Sequence, residues 1–208
     1  MVTLEKIDFK KALKPLYNPP TGTFVTVDVP EMNFVKMDGQ GDPNSAPAYR
    51  LAVEWLYGIS YAMKFAARAA LGKDYVVPPL EGLWWADDAS DFIAGGKDRW
   101  KWTMMIMVPD FITRDMFDDA VAKTAKKLGP VPQNLRLELY AEGLSLQTLH
   151  LGAYDEEGPV LARLHDEVMP TSGLTFNGLH HEIYLSDPRK TEPSKLKTIL
   201  RQPVKQKE

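Results

Sequence analysis

The readable pattern opens at Phe24-Val25-Thr26-Val27-Asp28-Val29, where apolar and polar residues alternate up to Pro30. Period two is the signature of a strand with one buried face. Asn33 to Met37 repeats it, and Asp38-Gly39-Gln40-Gly41-Asp42-Pro43 carries the residues of a turn. The period then changes. With Ser45 as N-cap and Pro47 in the first turn, a helix is predicted to run to Gly72. Its core stripe is Ala48, Ala52, Trp55, Ile59, Ala62, Met63, Ala66 and Ala70. Arg50, Glu54, Lys64 and Arg68 form the polar stripe, with Tyr57 and Tyr61 between them. So many alanines predict close packing against a sheet.

Leu80 to Ala86 and Asp98 to Val108 read as strands. Asp87-Asp88-Ala89-Ser90 and Gly95-Gly96 between them predict a loop longer than a tight hairpin turn. Thr113 fits the cap of a helix through Lys127, ended by Gly129-Pro130. Leu135 to Ala141 and Leu144 to Leu151 suggest a hairpin around Glu142-Gly143. Asp155 or Glu156 opens a short helix to about Val168, and Thr175 to Ser186 reads as the last strand. Beyond Pro188 the chain is basic and proline-punctuated, which predicts a solvated extension.

The order of elements suggests a duplication. Phe34 to Asp42 is a strand and a glycine turn followed by a helix and two strands; Leu146 to Asp155 begins the same series. The predicted fold is α+β in one domain spanning 1–208. Two pseudo-symmetric strand-helix-strand-strand modules, approximately 24–108 and 134–188, would form a mainly antiparallel sheet with helices and a central ligand cleft. A single open sheet without duplication is the alternative.

Composition removes several chemistries. The chain has no cysteine, so disulfides, thiolate zinc sites and cysteine nucleophiles are excluded. A net charge of −3 without a basic, aromatic-rich cluster argues against direct nucleic-acid binding. Ala46 to Leu71 is interrupted by four charges too many for a membrane span, and the N-terminus has no apolar signal core, so a cytoplasmic protein is expected. His180 and His181 point to opposite faces of a strand, and no His-x-His or His-Glu-x-x-His occurs; neither a metal nor a cofactor is expected. No third glycine follows Gly39-Gln40-Gly41, and no Gly-x-Ser-x-Gly elbow is present.

Two features remain. Trp84-Trp85 and Trp100-Lys101-Trp102-Thr103-Met104-Met105-Ile106-Met107 concentrate flat and adaptable side chains on strands. They suit either a pocket for a bulky planar, hydrophobic aromatic molecule or a core rich in Trp and Met. Glu182 lies within His180-His181-Glu182-Ile183-Tyr184-Leu185-Ser186, on the same strand face as His180, Tyr184 and Ser186. That face is either solvated, or it carries a half-buried carboxylate beside a phenol and suited to deprotonating water.

The segments Pro79-Leu80-Glu81-Gly82-Leu83-Trp84-Trp85, Trp100 to Met107 and His181-Glu182-Ile183-Tyr184-Leu185-Ser186-Asp187-Pro188-Arg189-Lys190-Thr191 resemble the GyrI-like small-molecule-binding family. Within it they are similar to the stand-alone branch of cyclopropanoid cyclopropyl hydrolases, over about Leu13 to Val204. The resemblance implies two modules around a ligand cleft with an acidic residue on a late strand inside it, the position of Glu182. Relatives are often the drug-sensing half of MerR-type or AraC-type regulators. With no room for a helix-turn-helix before Phe24, this chain is expected to be the ligand domain alone. The implied activity is hydrolysis of the cyclopropane of duocarmycin- or yatakemycin-type genotoxins, with Glu182 and Tyr154 as catalytic residues. Trp85, Trp102, Met104, Tyr184 and Tyr61 are the implied ligand contacts. The alternative is a non-catalytic domain that sequesters or senses drugs; oligomeric state is left open.

Overall fold

The computed structural model of the chain describes residues 6–88 and 96–207; most of the loop expected after Asp88 lies outside them. Eleven strands are described: β1 Lys6–Ile7, β2 Val25–Val29, β3 Met32–Gln40, β4 Asp74–Tyr75, β5 Leu80–Trp85, β6 Lys101–Val108, β7 Arg136–Tyr140, β8 Gly143–Leu151, β9 Leu174–Phe176, β10 His180–Tyr184 and β11 Lys197–Gln206. Long helices cover Pro47–Leu71 and Arg114–Leu128. A third helical segment runs from Gly158–Arg163 through a π-helical turn, Leu164–Val168, to Met169–Thr171.

The main sheet has the order β2-β8-β11-β10-β5-β6-β3-β7, with β9 added to β11, and its pairings are antiparallel. The order is palindromic. The first module, β3–helix–β5–β6, lies as β5-β6-β3, and the second, β8–helix–β10–β11, lies as β10-β11-β8. They meet at a seam where β5 pairs with β10 and Gly82 faces Glu182. The fold is therefore α+β with a pseudo-twofold at the seam, as the repeated pattern predicts.

Five expectations are corrected. Residues 189–207 do not form a solvated extension: Thr198 to Val204 of β11 are buried in the middle of the second module. Their alternation is hidden because both faces of that strand are covered, so Arg201, Gln202 and Pro203 read as surface. Second, β7 and β8 do not form a hairpin. β7 pairs with β3 and β8 with β2 and β11, and β2 and β3 likewise part company. Each short leading strand thus completes the opposite module. Only Ala141 and Glu142 separate β7 from β8, so Tyr140 and Gly143 lie within about 11 Å. β7, at one end of the strand order, is thus tied to β8, the strand next to the other end, so the sheet must curl.

Third, β3 continues through the expected turn to Gln40. A Cβ on Gly39 would lie 2.1 Å from the Trp102 ring, so glycine lets that indole cross the strand. Fourth, Ala46 rather than Ser45 precedes the long helix, and no side chain caps it; Ser45 instead closes a turn on the Asp42 carbonyl at 3.0 Å. Fifth, Lys64, expected on the polar stripe, is buried against Asp74 and the Tyr75 carbonyl. Thr113 does cap the second long helix, accepting from Met116 N–H at 3.2 Å. Among the described residues no helix is long and apolar enough to cross a membrane.

One face of the sheet packs under the long helix through Val35, Met37, Trp102, Met104 and Ile106. The opposite face holds Phe34, Leu83, Met105 and Met107, with Phe9 and Leu13 of the N-terminal segment packed on them. Charges are buried there too. His181 Nδ1 lies 2.8 Å from Glu142 Oε1 and its Nε2 lies 3.0 Å from Glu81 Oε2. Arg201 donates to Glu142 at 3.0 Å, to Gln147 at 3.0 Å and to the Leu16 carbonyl at 2.6 Å; Tyr17 donates to Glu81 at 2.9 Å. Two carboxylates and two cations balance, which is the condition for burying them. Strands of both modules and the N-terminal segment are thereby joined.

Burial alone would lower the His181 pKa, but the charge and hydrogen bond of Glu142, with Glu81, outweigh it and raise it from 6.5 to about 9. For Glu142, burial raises the pKa; His181 and Arg201 reverse that and bring it from 4.5 to about 2. The His181 contribution is present below pH 6.5 and lost as pH rises through about 9. That of Glu142 is present above pH 4.5 and lost as pH falls through about 2. Denaturant midpoints should therefore decline between pH 6.5 and 9. His181→Gln should lose about 3–5 kcal/mol at pH 6 and flatten that decline. A wild-type midpoint unchanged across the alkaline range would contradict this account.

Candidate functional site

The centre of the seam decides which side chains meet. Alternation along β10 places Ile183 and His181 on the face with the ion network, and His180, Glu182 and Tyr184 on the helix-bearing face. On β5 the partners of that second set are Leu80, Gly82 and Trp84. A Cβ on Gly82 would sit 2.8 Å from Trp84 Nε1, 3.2 Å from Met104 Sδ and 3.2 Å from the Tyr184 hydroxyl. The missing side chain opposite Glu182 is what admits these groups.

Glu182 has one oxygen hydrogen-bonded and the other beside a histidine ring. Tyr184 O–H donates to Oε2 at 2.8 Å and itself accepts from Trp84 Nε1–H at 2.8 Å. His180 Nε2 lies 3.3 Å from Oε1. The Glu182 side chain keeps 15 % of its surface exposed, enough for access without full hydration. Tyr49 of the long helix stacks on Trp84 at 6.3 Å and 28°, and Trp100 meets Trp84 edge-on at 5.9 Å. From the second module Tyr154 meets Tyr184 edge-on at 5.7 Å and 82°. Aromatic groups from both modules thus surround one carboxylate.

A second carboxyl completes the site. Glu157 precedes the helix Gly158–Arg163, is 5 % exposed, and leaves Oε1 buried without a hydrogen-bond partner. Burial, and then the charge of Glu182, push its pKa from 4.5 to about 10. A buried carboxyl beside a second carboxylate favours its neutral form, and Glu157 is the one so placed. Tyr154 is raised to about 12 by burial and by Glu157 and Glu182, and burial with Glu182 also raises Tyr184 and Tyr49. The tyrosines are hydrogen-bond donors here, not bases.

The expected site residues divide accordingly. Glu182, Tyr184 and Tyr154 come together. Trp85 lies on the opposite face of β5 from Trp84, because neighbouring strand residues alternate; Trp84 takes the place expected of Trp85. Trp102 and Met104 are fully buried beneath the long helix, with the Trp102 N–H donating to the Gly41 carbonyl at 3.2 Å. They belong to the core, not to an open wall. Tyr61, 48 % exposed, stacks between Tyr57 and Phe65 along the outer side of its helix. Sequence reading missed Trp84, Tyr49, His180 and Glu157. Alternation from Glu182 contains the signal for His180, and Gly82 opposite a carboxylate would have indicated Trp84. Nothing local marks Tyr49 or Glu157, whose roles depend on tertiary placement.

A family profile described as the GyrI-like small molecule binding domain matches residues 23–205. A solved structure of an uncharacterised conserved protein from Listeria innocua is 41% identical, with a TM-score of 0.87, and the match covers 96% of this chain and 100% of that one. A hydrolase from Listeria innocua is 40% identical, with a TM-score of 0.83, over 96% of this chain and 100% of that one. The EcmrR C-terminal domain shares the fold at 12% identity and a TM-score of 0.56, over 88% of this chain and 98% of that one. No curated protein matches the chain in sequence.

Because Glu157 binds its proton more tightly folded than unfolded, it costs stability as pH rises above 4.5 toward about 10. Glu157→Gln keeps a neutral amide of the same shape without that cost. The variant should match the wild type near pH 5 and exceed it by a few degrees in Tm at pH 8. Equal pH dependence in both proteins would refute the neutral Glu157 carboxyl.

Proposed function

The chain belongs to the GyrI-like small-molecule-binding family, and on that footing we propose that it hydrolyses the strained cyclopropane of a planar, conjugated genotoxin of the duocarmycin or yatakemycin type. The carrying observation is one half-buried carboxylate, Glu182, hydrogen-bonded by Tyr184, with His180 3.3 Å away, among aromatic rings and beside the buried carboxyl of Glu157. The hydrolase from Listeria innocua, similar over nearly the whole chain, supports the reaction class.

In this reading the flat ligand lies against Tyr49, Trp84 and Tyr154, each well-formed ring pair adding about 0.5–1.5 kcal/mol beyond area burial. Glu182 takes a proton from water as the water oxygen bonds to the ring carbon. The carbon–carbon bond breaks and its electron pair moves to the conjugated carbonyl, whose oxygen then takes a proton. Tyr154 donates a hydrogen bond to that oxygen as charge develops, while Tyr184 holds Glu182 in place. Glu157, kept neutral by burial and by the charge of Glu182, places a proton donor rather than a second charge beside the base. Ring strain supplies driving force, so neither a covalent intermediate nor a metal is required. Positioned proton transfer contributes about 10²–10⁴-fold.

A second reading is a non-catalytic drug binder, favoured by the same aromatic rim around a carboxylate, which also suits a flat cation. Incubation with a cyclopropane drug, followed by mass spectrometry, separates the two. Hydrolysis predicts water addition with turnover, and Glu182→Gln should keep the ligand while losing about 10²–10⁴-fold in rate. Stoichiometric capture without product would leave the binder; a Glu182→Gln variant at the wild-type rate would remove Glu182 as base.

A further inference from the structure

Glu182 and His180 share one face of β10, yet they do not satisfy each other. His180 Nε2 lies 3.3 Å from Glu182 Oε1, a distance that would allow a hydrogen bond. It makes none, and both ring nitrogens of His180 are buried without a hydrogen-bond partner. The ring is therefore turned off the line to Oε1. Its strand partner across the seam is Trp84, whose indole N–H is given to the Tyr184 hydroxyl at 2.8 Å. Tyr184 in turn donates to Glu182 Oε2. A hydrogen bond to a carboxylate oxygen lowers its affinity for a proton. Oε1 is thus the more basic oxygen, and it is the one beside the imidazole. Both side chains keep 15 % of their surface exposed, which leaves the pair open to water.

We propose that His180 and Glu182 Oε1 together hold the water that attacks the ligand, which makes His180 a catalytic residue through its contact with that water. This deepens the hydrolytic reading and rests on Glu182 as base. One water answers both groups: its oxygen accepts from His180 Nε2–H, and one of its O–H bonds points at Oε1. Buried waters make about two to four hydrogen bonds, so these two partners hold it and leave a lone pair free. That lone pair forms the bond to the ring carbon while the O–H proton passes to Oε1. The strained carbon–carbon bond gives its electron pair to the conjugated carbonyl. Glu182 then returns its proton to solvent and the product oxygen takes one, so no net proton is gained or lost. Without His180 the water keeps only its bond to Glu182 and can swing about it. A misplacement of about 1 Å is enough to cost about 10²-fold in rate.

Two measurements test this. A high-resolution crystal structure of the ligand-free wild type should place a water within hydrogen-bond distance of both His180 Nε2 and Glu182 Oε1. His180→Phe, which keeps a ring and removes both nitrogens, should lose it. In turnover of a duocarmycin-type cyclopropane drug, His180→Phe should lower kcat about 10–10²-fold with ligand Kd unchanged. His180→Gln, which restores an N–H near the position of Nε2, should recover most of that loss. A purely structural histidine shows no such recovery, and removing two buried unpartnered nitrogens would then raise Tm at an unchanged kcat. That outcome would overturn the proposal. His180→Leu serves if His180→Phe fails to fold. Turnover by a wild type whose structure lacks this water would also overturn the proposal and leave the hydrolytic reading standing. The water present with no turnover would overturn the hydrolytic reading, and the catalytic role of His180 with it.

Discussion

The antiparallel seam between β5 and β10 is the constraint on which the rest of the molecule depends. Strand side chains alternate, so a single register sends Glu81 and His181 to one face and Gly82, Glu182, Trp84 and Tyr184 to the other. A slip of one residue would exchange the two sets. It would leave Glu81 and Glu142 without their partner His181 and would turn Glu182 onto the face of Leu83 and Met105. The ion network on the first face fixes the register that brings Glu182, Tyr184 and Trp84 together on the second, through two strands of six and five residues.

The pseudo-twofold at the seam explains why the two faces are so differently furnished. It relates Glu81 to His181, Gly82 to Glu182 and Trp84 to Tyr184. On the network face the related pair are opposite charges, and they attract at 3.0 Å. On the helix face, one member of each pair makes room or supplies a donor for the other. Gly82 leaves the space above Glu182, and Trp84 donates to Tyr184, which donates to Glu182. The duplicated architecture supplies a symmetric frame, and the asymmetric side chains along its axis single out one carboxylate, Glu182, among aromatic groups.

Much of the frame was legible in the sequence because it rests on local periodicity. The alternation of Val25–Val29, the long helix closing at Gly72 and the cap at Thr113 are short-range signals, and each is found in the fold. What was hidden depends on distant partners. β11 reads as a tail because Arg201 finds Glu142, and Gln202 finds the Gly178 carbonyl, only after folding. The β7–β8 hairpin signal fails because each strand has a longer partner elsewhere. Among site residues, Glu182 and Tyr184 were visible as a strand face. Trp102 was read as a wall because residue type alone cannot separate a core indole from one that lines a cleft; its burial under Tyr49 and across Gly39 decides the matter.

A Glu157 carboxyl held neutral by burial and by the charge of Glu182 is the central claim, because it puts a proton donor rather than a second charge beside Glu182. Infrared spectroscopy of the protonated carboxyl C=O stretch, comparing the wild type with Glu157→Gln, tests it most directly. The account predicts a neutral carboxyl signal that persists in the wild type at pH 8 and is absent from Glu157→Gln. A wild type with no neutral carboxyl at that pH, or a signal unchanged by the substitution, would contradict it.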